Sequence, residues 1–245
     1  MANFTKYFAT TLPKECQFFD INSGNRQSGT NVNFQTKNSF NTNARGFCLR
    51  GICFAYMCYS INSYYNTLII GANTYTIPEG NYTPQTLLTT INGLQGEVSL
   101  AYSSTTNKYT FTSVAPKTII FDYRNNDLAK FLGFDENSSN VCNLSLVSSY
   151  PLQFTYTRWI DVCSNTLTQD AGGSLNMPPN CVVRLPIQTV PYGSTYFYQD
   201  NFPRILGNSI DRPMNYIDIS ILDDKGRLLN IPSNVEFDIL MDKYQ

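Results

Sequence analysis

Between residues 74 and 134 the apolar positions change period three times. Tyr75 and Ile77 alternate with Thr74 and Thr76, the two-residue repeat of a half-buried strand. Pro78, Glu79 and Gly80 interrupt it. Thr83 can then cap a helix with its hydroxyl, and Pro84 fits the first helical position, where no backbone donor is needed. Leu87, Leu88 and Ile91 follow on one face, and Gly93 is expected as a left-handed C-cap. The two-residue period returns in Val98, Leu100 and Tyr102, and after the polar turn 103–107 in Tyr109 and Phe111, which predicts a β-hairpin. A strand over 118–123 leads to a second short helix, with Leu128, Phe131 and Leu132 inward and Gly133 as its stop. The pattern is a β-α-β-β-β-α unit whose two helices cover one face of a sheet.

On either side the pattern is that of strands alone. Val32 and Phe34 share one face of a first strand. Residues 47–59 form the longest apolar stretch without clean alternation, which predicts a central strand covered on both faces. Residues 67–70, turning at 71–73, enter the strand 74–77, and 137–140 reads as a hinge. Further strands are expected over 141–147, 153–161 and 181–187, with a long loop at 164–180. Arg158 shares a phase with Phe154 and Tyr156, either as a snorkelling side chain or as an ion-pair partner between subunits. Residues 190–201 carry Tyr192, Tyr196, Phe197 and Tyr198 in a Gly- and Pro-punctuated run. The chain closes on its clearest predicted hairpin: Ile217, Ile219 and Ile221, a turn at Asp223-Asp-Lys-Gly226, then Val235, Phe237, Ile239 and Met241. Strands from both ends, with an α/β unit interposed, suggest a mainly β protein: an arm over 1–16, a β-sandwich over 17–73 and 138–245, and an insert over 74–137.

Several of these segments carry a resemblance. Ile77-Pro-Glu-Gly-Asn-Tyr-Thr83, the helix ending in Ile91-Asn92, the hairpin and Leu132-Gly-Phe134 resemble a module of structural proteins of tailless icosahedral DNA viruses, which include Polinton-type elements, Polinton-like viruses, virophages and giant-virus relatives. Upstream, Asp20-Ile-Asn-Ser-Gly-Asn-Arg26 with Phe34 is similar to the family's opening motif, although Gly24-Asn25 stands where the usual pattern is more acidic. Ser60-Ile-Asn-Ser-Tyr-Tyr-Asn66 is similar to its Tyr-Tyr-Asn segment, and 217–241, containing Leu222-Asp-Asp-Lys-Gly-Arg-Leu-Leu229, to its closing hairpin. The motifs occur in order over nearly the whole chain. The resemblance implies a jelly-roll-type β-sandwich with an inserted α/β unit, and a minor capsid protein, either a penton at the vertex or a triplex-like protein between major-capsid trimers. Its partners would be the major capsid protein and copies of itself, in the virion capsid.

Composition narrows the alternatives. Of 245 residues only 14% are charged while 14% are aromatic, which suits strands and polar loops. A formal net charge of −1 provides no electrostatic footprint for nucleic acid. The N-terminus shows no basic segment followed by an apolar run, and the longest apolar stretch falls far short of the ~20 residues of a membrane span, so synthesis in the host cytosol without membrane insertion is expected. The seven cysteines contain no C-x-x-C pair, and their odd number precludes a fully paired disulfide framework. Buried thiols are expected; Cys48, Cys53 and Cys58, five apart in an extended strand, point to opposite faces and cannot converge on a metal.

No histidine is present, which removes Ser-His-Asp and Cys-His catalysis together with imidazole metal sites. No P-loop or G-x-G-x-x-G occurs either. Among carboxylates, Asp223-Asp224 suits a turn, whereas Asp161 with Asp170, or Glu236 with Asp238, could in principle flank a glycosidic bond. Sequons at Asn3, Asn81, Asn137 and Asn143 are read as products of an Asn-, Ser- and Thr-rich composition. The expectation is a structural protein, with no catalytic residue, cofactor or metal. Trp159, Tyr192, Tyr196 and Tyr198 are candidate subunit-interface residues, and Arg26 a polar anchor near the arm. The alternative is a host-attachment spike or carbohydrate-binding β-module in which Trp159 and Tyr192–Tyr198 stack on a sugar.

Overall fold

The computed structural model describes residues 16–37, 46–121, 127–135, 140–153, 157–167, 178, 180–187, 190–199 and 216–244. Residues 1–15 of the predicted arm, most of the 164–180 loop and residues 137–139 of the predicted hinge lie outside these. In chain order the first elements are β1 (Cys16–Asn22), a 3-10 helix (Ser23–Asn25), β2 (Ser28–Thr30), β3 (Asn33–Thr36), β4 (Gly46–Ala55), β5 (Thr67–Ile70) and β6 (Asn73–Thr76). Then come α1 (Pro84–Leu94), β7 (Ser99–Ser103), β8 (Lys108–Thr112), β9 (Lys117–Phe121), α2 (Asp127–Leu132), β10 (Asn140–Cys142) and β11 (Ser145–Val147). The last are β12 (Trp159–Cys163), β13 (Cys181–Pro186), β14 (Thr195–Gln199), β15 (Ile217–Leu222) and β16 (Phe237–Tyr244). The chain divides into two compact units, one made of Met1–Met57 with Thr157–Gln245, the other of Cys58–Tyr156.

The discontinuous unit holds two antiparallel sheets, ordered β1-β16-β4-β14 and β13-β12-β15-β3-β2. With the short β2 set aside, eight strands remain. In chain order they pair as first-eighth-third-sixth and fifth-fourth-seventh-second, the strand order of a jelly roll. Each sheet buries one face: Ile217, Ile219 and Ile221 on β15, and Phe237, Ile239 and Met241 on β16, are all at most 1% exposed. The segment 58–156 enters between the third and fourth of these strands.

Two predicted features of this unit are corrected. The closing hairpin is a crossover between sheets: β15 pairs with β12 and β3, and β16 with β1 and β4. The turn itself forms, with the Asp223 carboxylate accepting from the N–H groups of Lys225 and Arg227, both at 2.9 Å. Pairing stops at a bridge between Leu222 and Leu228, after which the chain passes to the other sheet. Second, β4 is central but buried on one face only. Leu240 stands opposite Gly51 and Met241 opposite Leu49, so Arg50 is the extra residue of a β-bulge. The slip in phase brings Leu49, Ile52 and Phe54 all to the core, and this is what erases the alternation.

In the continuous unit the predicted single sheet is two: β10-β9-β5-β6 and β11-β8-β7. Strands over 67–70 and 141–147, set in the sandwich by the sequence pattern, pair here with β9 and β8. The second of them is broken in two at Leu144, which has a positive φ of 72°. Helix α1 is capped as expected: the Thr83 hydroxyl accepts from Thr86 N–H at 3.2 Å, and the Thr86 hydroxyl accepts from Thr83 N–H at 2.9 Å. Gly93, however, lies inside the helix, which ends at Leu94 with Gln95 extended. There the Gln95 side-chain oxygen accepts from Glu97 and Val98 N–H, and Asn92 bonds the Leu100 backbone through both its side-chain atoms. Amide side chains, not a left-handed glycine, finish α1. Gly133 does end α2 in the predicted way, at φ +80°, where a Cβ would come within 2.2 Å of the Tyr150 carbonyl oxygen. Leu87, Ile91, Leu128 and Leu132 reach a shared core with Tyr109 and Phe111.

Candidate interaction surface

Among the described residues the strand β14 is the edge of its sheet, hydrogen-bonded to β4 on one side. Tyr196 stands opposite Phe54 and Tyr198 opposite Ile52, so both tyrosines share the inward phase of the sheet. Because β14 is at the edge, they remain half-buried where Phe54 and Ile52 are fully covered. The Tyr196 ring lies 5.2 Å from that of Phe54, and its hydroxyl donates to the Pro186 carbonyl at 3.3 Å. Burial, and then the neighbouring Tyr198, push the Tyr196 phenol above its ordinary pKa. Tyr192 lies in the turn before β14, 38% exposed. Gly193 N–H donates to Tyr56 C=O and Tyr56 N–H to Ser194 C=O, both at 2.8 Å, which extends the β4 pairing into that turn.

Phe197, between the two tyrosines, takes the opposite phase and is 61% exposed. Across the same outer face stand half-buried Cys53, opposite Phe197, and exposed Ala55, opposite Thr195. On β16 Leu240 is 45% exposed and stands opposite Gly51, with its side chain 3.8 Å from where a Gly51 Cβ would be. A Cβ there would also approach the Tyr198 carbonyl oxygen to 2.9 Å, so glycine is what lets β14 close on β4. The outer face of this sheet therefore carries Phe197 and Leu240 over small residues of β4, with Asp238 opposite Cys53, Gln199 opposite Gly51 and Asp20 opposite Leu240. Two large apolar side chains exposed on one regular sheet face make it a candidate contact surface. Neither residue is among the interface candidates read from the sequence, yet each leaves a signal there: each is a large apolar residue at the polar phase of an alternating strand.

Trp159 opens β12 opposite Pro186, the residue whose carbonyl receives the Tyr196 hydroxyl. Of the candidate residues, Trp159 and Tyr196 thus meet at Pro186, while Tyr198 and Tyr192 lie further along β14 and in the turn before it. The guanidinium groups of Arg158 and Arg184 both lie over the indole, each 4.7 Å from its centroid. Arg184 is fixed by a two-point ion pair to buried Asp161, at 2.7 Å for both contacts, and this hydrogen bonding raises its pKa further. Arg158 reaches the Asp224 carboxylate at 3.3 Å. The indole ring is therefore engaged by cations of its own chain, and Arg158 is an intramolecular ion-pair partner.

Arg26 does not join this group. Its guanidinium donates to the carbonyls of Ser23 at 2.9 Å and Gly29 at 3.0 Å and to the Asn31 side chain, which in turn donates to the Ser233 and Val235 carbonyls. It fixes a corner of the fold. Of the candidate carboxylates, Asp161 is held by Arg184, Asp170 lies outside the described residues, and Asp238 accepts from the Asn22 side chain. Glu236 is exposed on the segment entering β16. Among the described residues no group of three His, Cys, Asp or Glu side chains could hold a metal ion, and no helix is long and apolar enough to cross a membrane.

No protein-family model matches the chain, and no curated protein matches it. Among solved structures it is similar to the crystal structure of a selenomethionine-labelled mavirus penton protein. The identity is 10% and the TM-score 0.44, over 94% of this chain and 99% of that one.

Proposed function

We propose that this chain is a minor capsid protein of a tailless icosahedral DNA virus, assembling with the major capsid protein and with copies of itself as a penton or a triplex-like subunit. The observation that carries the reading is the outer face of the β1-β16-β4-β14 sheet, where Phe197 and Leu240 stand exposed, Phe197 on the strand that ends the sheet among the described residues. Ordered capsid-type motifs along the sequence and the jelly-roll strand order agree with it. Assembly would cover Phe197, Leu240 and Tyr192, and the side of β14 that pairs with no strand among the described residues offers backbone groups to a neighbour. The spike or sugar-binding alternative loses its main platform, because the Trp159 ring already carries two guanidinium groups.

The test is the mass of the purified protein by light scattering, alone and after mixing with major capsid protein, for wild type and for the Phe197→Asp/Leu240→Asp variant. Wild type is expected to form a defined oligomer or to bind capsid trimers, and the variant to remain monomeric with an unchanged circular-dichroism spectrum. A wild type that is monomeric and indifferent to capsid protein would overturn the proposal, as would a variant that assembles normally.

A further inference from the structure

Along β12 and β13, Asp161 faces Arg184 and Val162 faces Val183. A β-bulge then shifts the register, so that Cys163 faces Cys181 and not Val182. Just beyond, Ser164 N–H donates to the Asn180 carbonyl at 2.9 Å, so the two chains stay side by side past the cysteines. Directly opposed residues of an antiparallel pair, as Cys163 and Cys181 are, have Cα atoms about 4.5–5.5 Å apart. That separation lies within the disulfide range of about 4.4–6.8 Å. Both thiols are free, Cys163 fully buried and Cys181 half-buried on β13, the edge strand of its sheet.

We infer that Cys163 and Cys181 are a dithiol that closes to a cross-strand disulfide under oxidising conditions and staples the two ends of the 164–180 connection. With a small disulfide such as oxidised glutathione, the Cys181 thiolate attacks one sulfur and expels one glutathione thiolate. Cys163, once deprotonated, attacks the Cys181 sulfur of the mixed disulfide and expels the second. Two protein thiols are oxidised, one glutathione disulfide is reduced to two thiols, and the two protons pass to these products. The surroundings already hold the ends in place. The Asn180 side chain donates to that of Asn165 at 3.0 Å, and Asp218 accepts from the N–H groups of Asn165 at 3.0 Å and Thr166 at 2.7 Å. The Cys163 thiol against Cys181, and burial, push the Cys181 pKa up, so closure should be slow at neutral pH and faster at alkaline pH.

The experiment incubates the full chain with oxidised glutathione at pH 8 and maps disulfide-linked peptides by mass spectrometry, with melting followed in parallel. The expected result is one linked pair, Cys163 to Cys181, and a melting temperature raised by about 5–10 °C, as for closure of a loop of roughly this size, reversed by a reductant. Cys181→Ser, at the more exposed position, should show no linked peptide at Cys163 and no rise. A Cys181–glutathione adduct that never resolves, a pair involving another cysteine, or a linked pair without the rise would each overturn the inference.

Discussion

The two units solve the same problem, burying the inner faces of short strands, with partners drawn from very different distances along the chain. In the 58–156 unit neighbours in sequence are neighbours in space: β7 and β8 are joined by four residues, 104–107, and α1 packs on β7. In the sandwich β1 pairs with β16, and Asn22 bonds Asp238 from 216 positions away. The first arrangement needs only local closure; the second forms only when both ends of the chain are present. The exposed apolar residues are placed differently as well. The sandwich exposes Phe197 and Leu240 on a regular sheet face, whereas most of the exposed apolar residues of the continuous unit, Leu144, Val147 and Tyr150 among them, cluster where its strands are short and broken.

The comparison breaks most directly by cutting the chain. Residues 58–156 contain a complete core of their own and should fold alone, giving dispersed amide resonances and cooperative melting, whereas residues 1–57 alone, lacking every partner of β1, should stay unfolded. A folded 1–57 fragment would show that the distant pairing is not what organises the sandwich. Within 58–156, Phe111 is fully buried with its ring 5.4 Å from that of Phe134, and Phe111→Ala should cost about 3–5 kcal/mol in denaturant unfolding. Gly133→Ala is a smaller perturbation of the same core: the positive φ and the Tyr150 carbonyl together predict a loss of about 1–3 kcal/mol, read as a lower melting temperature.

The smallest effect is electrostatic. Hydrogen bonds from Lys117 at 2.7 Å, Asn73 at 2.8 Å and Tyr75 at 2.7 Å hold the Glu97 carboxyl at about 2, well below its ordinary value of 4.5. Between these values the unfolded chain binds the proton that the folded chain refuses, so stability rises with pH. Glu97 therefore adds its full contribution above about pH 4.5 and loses it as pH falls towards 2. Glu97→Gln should flatten that part of the stability–pH curve for the 58–156 unit. An identical slope in wild type and variant would remove Glu97 from the account. In the sandwich, burial pushes the Asp218 carboxyl up, but bonds from Thr166 and Asn165 outweigh it, and the net shift is downward. Its stabilisation fades with acid in the same direction.

Much of the local structure was written in the chain. Thr83 and Pro84 start α1, Gly133 stops α2, Asp223 shapes its turn, and the alternating isoleucines of β15 identify their buried face, because caps, turns and periodicity act over a few residues. The candidate surface was legible as far as the tyrosines of the 192–198 run; Phe197 and Leu240 become meaningful only once β14 and β16 are known to flank β4 with both residues on its outer face. Only the tertiary structure decided that β15 and β16 part to different sheets, that Arg50 bulges out of β4, and that Cys163 meets Cys181. The reason is physical: a two-residue period says which side of a strand is buried but not which strand lies beside it. That choice belongs to pairings across the length of the chain, made by the total burial of both sheets and invisible in any one window of sequence.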